Sequence, residues 1–219
     1  MIRVFDFETS GLDPEQGAEV CELGYADLLP DGVITAPVSQ LFGIKTKIPP
    51  YMRAVHHIRN EDLEGLLPFD PAYLGAAETY AAHNASFELQ FITPSAPVIC
   101  TYKAAMHVWP DAPSYGNFAL AYWLEDQGLL PRIEAQPAHR AGPDAFVTAQ
   151  ILKELLKHAT VDEMVQWTSE PRPMPTIPIG KFKGQPWSAA DDGYLRWMVG
   201  ADDMDGDIVF HARRELERR

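Results

Sequence analysis

Four prolines within eight residues, Pro171, Pro173, Pro175 and Pro178, set the strongest constraint on how this chain can fold. Each removes a backbone donor and fixes φ, so neither a helix nor a central strand can run through the stretch. The sequence therefore predicts two packed parts, residues 1–168 and 179–219, joined by an extended linker over 169–178. A length of 219 residues leaves room for one full domain and a small appendage.

Ahead of the prolines, residues 2–7 read as a buried strand, 19–29 as a second and 33–44 as a third, with Pro30-Asp31-Gly32 turning between the last two. Short apolar runs at 79–82 and 98–101 then alternate with helical patterns near 84–92, 102–109 and 116–125. That alternation makes parallel strands with crossover helices. From Gly142-Pro143 a long helix should run to about His158, because proline suits a first helical position and Ala145, Thr148, Ala149, Leu152, Leu155 and Leu156 recur at helical spacing. A shorter helix, Val161 to Trp167, precedes the prolines. The expected class is α/β, a mixed sheet flanked by helices, with a small α-rich module after it.

Charge narrows the function. The chain carries 18 basic and 31 acidic residues, a net of −13, which argues against gripping nucleic acid through one broad basic face. The imbalance lies in residues 1–171, with 10 basic against 23 acidic, while residues 172–219 hold eight of each. A nuclease of this composition would need bound cations and a few placed side chains to hold phosphates. No apolar stretch is long enough to span a membrane. Asp6 interrupts the N-terminal apolar run too early for a secretory signal, so the expected location is cytoplasmic. Cys21 and Cys100 are too few for a disulfide framework and lack metal-ligand spacing.

Three segments carry candidate chemistry. The first strand ends in Asp6-Phe7-Glu8-Thr9, which puts both carboxylates on one side of a period-two strand, and two hard oxygen ligands side by side suit a divalent cation. The plain alternative is a solvated sheet edge, which the apolar neighbours Val4, Phe5 and Phe7 make uncomfortable. The second segment, His83-Asn84-Ala85-Ser86-Phe87-Glu88, follows an apolar run where a strand gives way to a helix, a favoured place for ligands in open sheets. Simple capping by Asn84, with Glu88 in a first turn, explains it equally. The third is His139-Arg140-Ala141-Gly142-Pro143-Asp144, in which Asp144 falls in the first helical turn and His139 in the loop before it. An imidazole there can swing over a metal held by Asp144; an incidental loop histidine is the alternative.

In this order and on these elements, the three segments resemble the DEDDh branch of the DEDD 3′–5′ exonucleases, whose signatures run D-x-E-T, H-N-A-x-F-D and H-x-A-x-x-D. The resemblance spans roughly residues 2–158 and continues in Ala54-Val55-His56-His57-Ile58, in Ile99-Cys100-Thr101 through Trp109-Pro110, and in Asn117. It implies a ribonuclease H-like fold with a mixed five-stranded sheet. It implies that Asp6, Glu8, Asp144 and Glu88 hold two Mg²⁺ or Mn²⁺ ions, with Asp6 shared between them, and that His139 is the general base. It also implies that Thr9, Gly11, Leu12, His56, Asn84 and Phe87 line the site of the terminal nucleotide. The activity implied is release of 5′-nucleoside monophosphates from the single-stranded 3′ end of DNA, in repair or end processing, with RNA as the alternative substrate.

The sequence departs from the family pattern at Glu88, where the motif has aspartate. One extra methylene moves a carboxylate by about 1.5 Å, which strains a tight shell around Mg²⁺ but suits a ligand acting through water. The departure keeps open the reading of a weakened, nucleic-acid- or partner-binding module. The appendage, with Ile179-Gly180-Lys181-Phe182-Lys183-Gly184 and Gly193-Tyr194-Leu195-Arg196-Trp197, is also similar to one found within the family. Lys181 and Lys183 around Phe182 are candidate DNA-backbone contacts. In the alternative reading, Phe182, Trp187, Tyr194, Leu195, Trp197 and Met198 form a small core and the lysines are merely solvated.

Overall fold

The computed structural model describes residues 1–134 and 137–219. They fall into two compact units, Met1–Thr168 and Ser169–Arg219.

The first unit is built on one five-stranded sheet. Its strands are β1 (Ile2–Thr9), β2 (Val20–Leu28), β3 (Val38–Leu41), β4 (Thr79–Ala82) and β5 (Val98–Cys100), in the order β3-β2-β1-β4-β5. β1 is antiparallel to β2, and β2 to β3, while β4 and β5 run parallel to β1. The mixed ribonuclease H-like sheet expected from the sequence is thus present. Both faces are covered, so the inner strands are apolar almost throughout. On one face Val4, Ala26, Ala81 and Ile99 pack against helices α2 (Thr101–Val108), α3 (Asn117–Asp126) and α4 (Ala141–Leu155). On the other, Phe5, Phe7, Leu23 and Tyr80 pack with Phe42 and Leu74. Because side chains alternate along a strand, Asp6 and Glu8 share the face of Val4, under α4.

Three boundaries differ from the sequence reading, each for a local reason. The third strand covers only Val38–Leu41, since Pro37 before it offers no backbone donor to a sheet. The long helix starts at Ala141, with Arg140 as its N-cap and Pro143 in the first turn, where the missing N–H has no partner to lose. No α-helix spans 84–92. Asn84 takes a left-handed conformation with φ of 61°, the chain turns, and only Glu88–Gln90 closes into a 3₁₀ turn. Helix α1 (Pro50–His56) was not anticipated; its Met52 packs with Ile48, Ile58 and Leu63 in a separate cluster.

Close approach of α4 to the sheet depends on glycine. A Cβ on Gly24 would lie 1.9 Å from the Ala141 carbonyl carbon, and one on Gly142 would lie 2.3 Å from Ser39 Oγ. Gly24 is the register partner of Asp6, so the bare backbone there lets the start of α4 settle beside the first-strand carboxylates.

In the second unit, Ile177, Trp187, Leu195, Met198, Ile208 and Ala212 form the core between α6 (Asp192–Gly200) and α7 (Gly206–Glu217). The proline stretch forms no helix, and residues along it pack into this unit. Arg172 bonds Asp205 and Asp207 at 2.6 Å, Trp187 Nε1 donates to the Met174 carbonyl at 2.7 Å, and Ile177 is fully buried. Asp205 caps α7 by accepting from the Asp207 and Ile208 amides. Trp197, which the alternative reading placed in this core, is 52% exposed.

Candidate active site

Strand β1 ends beside the start of α4, and three carboxylates meet there. One oxygen from each of Asp6, Glu8 and Asp144 lies within 4.8 Å of the others. Glu88, on the 3₁₀ turn after β4, is 3% exposed and adds its charge to both Asp6 and Glu8. Its Oε2 is buried and has no hydrogen-bond partner among the described residues.

Carboxylates packed this way repel one another and lose solvent, so the protonated forms are favoured. Burial, then the neighbouring Glu8, Glu88 and Asp144, pushes Asp6 well above the usual carboxylate range. Burial followed by Asp144 and Glu22 raises Glu8 to about 8, with Arg140 opposing. Glu88 is raised to about 8 by burial, and Asp144 to about 6 by burial against the opposing charge of His139. A partnerless buried oxygen beside three converging carboxylates is what a divalent cation would satisfy, so these residues fit the expected metal.

Several contacts set the third segment in place. His139 is held at φ of 60°, and its backbone N–H donates to Asp144 Oδ1 at 3.1 Å. The Asn117 amide donates to the Asp144 carbonyl at 3.1 Å. The neighbouring Arg140 donates to both oxygens of Glu22, at 2.9 and 2.7 Å, and the Ala141 N–H adds a third bond to Glu22 at 3.1 Å. Glu22 is wholly buried and pairs with Glu8 across β1 and β2. Sequence reasoning missed Glu22 and Arg140 as a site feature. The signal was available, since Arg140 lies inside the third segment and Glu22 is an acid in an apolar strand, but no spacing rule links residues 118 apart.

The remaining candidates differ in exposure and partners. Thr9 is buried with its hydroxyl on the Gly11 carbonyl at 2.6 Å, while Leu12 is 66% exposed. His56 is fully buried, its Nδ1 accepts from the Ile58 amide at 3.0 Å, and it lies against the Thr9 backbone. Asn84 is exposed and Phe87 half-buried, on the segment that leads to Glu88. His83 serves the fold, with Nδ1 at 2.9 Å from Thr101 Oγ1 and Nε2 at 2.7 Å from the Tyr115 carbonyl. Burial lowers His83 to about 4, so it stays neutral. In the second unit Lys181 is engaged at home: it pairs with Asp191 at 3.1 Å, and its ammonium lies 4.8 Å from the Phe182 ring centre and 5.2 Å from that of Tyr194. A Cβ on Gly180 would strike the Tyr194 hydroxyl at 2.0 Å, so packing accounts for much of this glycine-lysine motif.

The exonuclease family RNase_T matches residues 4–152. The chain belongs to this family, in its DEDDh branch. Among solved structures, exonuclease X in complex with 5′-overhanging duplex DNA is similar at 31% identity and a TM-score of 0.65, covering 77% of this chain and 100% of that one. The nuclease domain of 3′hExo, a DEDDh member bound to rAMP, shares the fold at 18% identity and a TM-score of 0.52, over 72% of this chain and 92% of that one. E. coli exonuclease I in complex with a dT13 oligonucleotide does so at 14% identity and a TM-score of 0.53, over 76% of this chain and 42% of that one. Among curated proteins none matches the chain. A DEDDh exonuclease is a nuclease hydrolase, and divalent metals serve this branch. No helix among the described residues is long and apolar enough to cross a membrane.

The raised carboxyls make metal binding visible as stability. A group whose pKa is raised by folding stabilises the fold at low pH and loses that contribution as pH rises through the folded value. With Asp144 at about 6 and Glu8 and Glu88 at about 8, the metal-free protein loses stability between roughly pH 5 and 8. A saturating divalent cation opposes this loss. At 100 times its dissociation constant it adds about 2.7 kcal/mol, or roughly 5–10 °C in Tm for a chain of this size. Thermal melts with Mn²⁺ and with EDTA should differ by that amount at pH 8 and by little at pH 5. Equal differences at both values would disprove the linkage.

Proposed function

We propose that this DEDDh exonuclease is metal-dependent and removes nucleotides from the 3′ end of DNA, releasing 5′-nucleoside monophosphates in repair or end processing. The observation that carries the reading is the meeting of Asp6, Glu8 and Asp144 within 4.8 Å, with His139 held beside them by a bond from its backbone amide to Asp144 Oδ1. Asp6, Glu8 and Asp144 would hold two Mg²⁺ or Mn²⁺ ions, with Glu88 reaching the site through water. Such cations neutralise charge on the attacked phosphate and on the leaving oxygen. An imidazole nitrogen of His139 accepts the proton of the attacking water. The water oxygen bonds to phosphorus, the P–O3′ bond breaks, and the leaving O3′ takes a proton from bulk water, so that the shortened strand ends in a 3′ hydroxyl.

DNA is the preferred substrate class because exonuclease X, the relative at 31% identity, is seen with 5′-overhanging duplex DNA. Thr9 and Gly11 would receive the terminal nucleotide, with Leu12 presented to a base and His56, Asn84 and Phe87 supporting the pocket. Lys183, whose neighbour Lys181 is held by Asp191, is the better placed of the two lysines for a DNA backbone. The C-terminal unit, by its Gly180-Lys181 and Tyr194–Trp197 segments, would be an appendage of the type found within the family. Two free, buried cysteines are in keeping with a cytoplasmic location.

Digestion of a 5′-labelled single-stranded DNA oligomer with Mg²⁺ or Mn²⁺ tests the reading, beside an RNA oligomer of the same sequence, an Asp6→Ala lane and an EDTA lane. The expected result is a descending DNA ladder absent from both controls. A ladder on RNA alone reassigns the substrate, and intact oligomers with either metal support the binding-module reading that Glu88 motivates. Glu88→Gln keeps the volume and removes the charge. Acting through water, such a partner is worth about 10–100-fold in rate. An unchanged Mg²⁺-dependent rate would remove Glu88 from the site.

A further inference from the structure

A second feature concerns how so acidic a chain holds a polyanion. Between Asp31 and Glu61 there is no acidic residue, and this stretch contains Lys45, Lys47, Arg53 and Arg59, four of the 10 basic residues before Arg172. Elsewhere in the first unit several cations are matched, Arg3 with Asp27, Arg140 with Glu22 and Lys157 with Glu154. None of the four in the acid-free stretch forms an ion pair among the described residues. Lys45, Lys47 and Arg59 are exposed, and Arg53 Nε is buried without a hydrogen-bond partner among the described residues.

The fold brings this stretch to the active-site rim by two attachments. Thr46 Oγ1 lies 3.3 Å from Ser10 Oγ, just past the end of β1, and the Lys45 and Thr46 amides donate to Glu19 at 2.8 and 3.0 Å. The Ser10 and Glu19 backbones are themselves bonded at 2.8 Å, so the lysine loop is fastened to the turn that follows Glu8. On α1, His56 is buried against the Thr9 backbone, and Arg53 stands one turn earlier on the same helical face. His57, at φ of 62°, ends the helix through a bond to the Arg53 carbonyl and turns the chain back. The result is a pocket lined by Pro50, Arg53, Ala54, His57 and Arg59. Its volume, about 380 Å³, falls in the range of small-ligand sites. Asp62, the nearest following acid with a fixed partner, is occupied by the Arg59 amide.

We infer that Lys45, Lys47, Arg53 and Arg59 form a track for the phosphate backbone of the polynucleotide, with the Arg53–Arg59 pocket seating one phosphate away from the scissile bond. The inference rests on the exonuclease reading for its ligand, and on the geometry of these residues for its place. Arginine is suited to it, because its planar fork holds phosphate oxygens in pairs.

Binding of a labelled single-stranded DNA oligomer is measured in EDTA, so that cleavage plays no part, against KCl from 50 to 200 mM. Each phosphate contact on a single strand contributes about 0.7 to the slope of log K against log salt. Arg53→Gln with Arg59→Gln should lower the slope by roughly 1.4, so the double variant loses about sevenfold less affinity over that range than wild type. Arg132→Gln, which alters net charge without touching the track, should keep the wild-type slope. Arg53→Lys with Arg59→Lys should keep most of the slope and shows that the fold survives exchange at these positions. A double glutamine variant with the wild-type slope, or an equal fall in Arg132→Gln, overturns the inference. A reduced slope in a protein that cleaves nothing with either metal supports the track and sinks the exonuclease reading, so the two fail separately.

Discussion

Asp6→Asn should lower the metal-dependent rate by at least about 10³-fold while leaving the metal-free protein as stable as wild type, or more so. The first half follows from position. Asp6 lies at the centre of the site, with Glu8, Glu88, Asp144 and Glu22 all acting on its charge. An amide in its place removes one of three converging ligands, and a loss of 10³ corresponds to about 4 kcal/mol of transition-state stabilisation. The second half follows from the raised Asp6 pKa: its charge is held at a cost in the empty site, so a neutral isostere relieves repulsion at pH 8. The opposite signs make the test strict. Rates with Mn²⁺ and melts in EDTA, taken on the same preparation, separate chemistry from folding. A rate within tenfold of wild type would remove Asp6 from the chemistry, and a lower metal-free Tm would mean that the carboxylate is structural.

The same juxtaposition shows what a single chain reveals before it is folded. Asp6, Glu8, His139 and Asp144 were legible because each sits in a short segment whose residue types and order have a chemical reason. The sheet was legible from apolar runs with turn residues between them. What could not be read was set by contacts across the chain. Helix α1 is seven residues long and begins with prolines, so no periodic stripe announces it. The 3₁₀ turn at Glu88 depends on a left-handed Asn84, a choice made by packing rather than by helix propensity. Gly24 carries no signal of its own in the sequence, yet it is the place where α4 reaches the strand that carries Asp6. Lys181 looked free in sequence and proved to be shared between Asp191 and two aromatic rings. Local pattern reports chemistry well; it reports partners poorly, because partners are set by tertiary distance.

Arg140 carries the second large effect, and it acts through position. Glu22 is wholly buried and receives three bonds, two from the Arg140 guanidinium and one from the Ala141 amide at the first turn of α4. These bonds fix both sides of the step from His139 to the helix that bears Asp144. Removing one partner of a buried pair strands the other charge, at a cost of 3–5 kcal/mol in well-buried cases. With the Arg140 side chain 32% exposed, about 3 kcal/mol is expected for Arg140→Ala, or roughly 6–12 °C in Tm. Glu22→Gln combined with Arg140→Ala removes the stranded charge and should recover much of that stability. Activity should not recover with it, because the clamp that aims His139 and Asp144 is still missing. Arg140→Lys keeps the charge but loses the two-pronged contact, and should hold stability better than geometry. The measurement is a melt and a metal-dependent rate for each variant, with kcat and KM resolved. If the double variant regains rate in step with Tm, Arg140 is only a structural residue. If Tm returns while kcat stays low, the pair is what places the base against the metal-binding carboxylates.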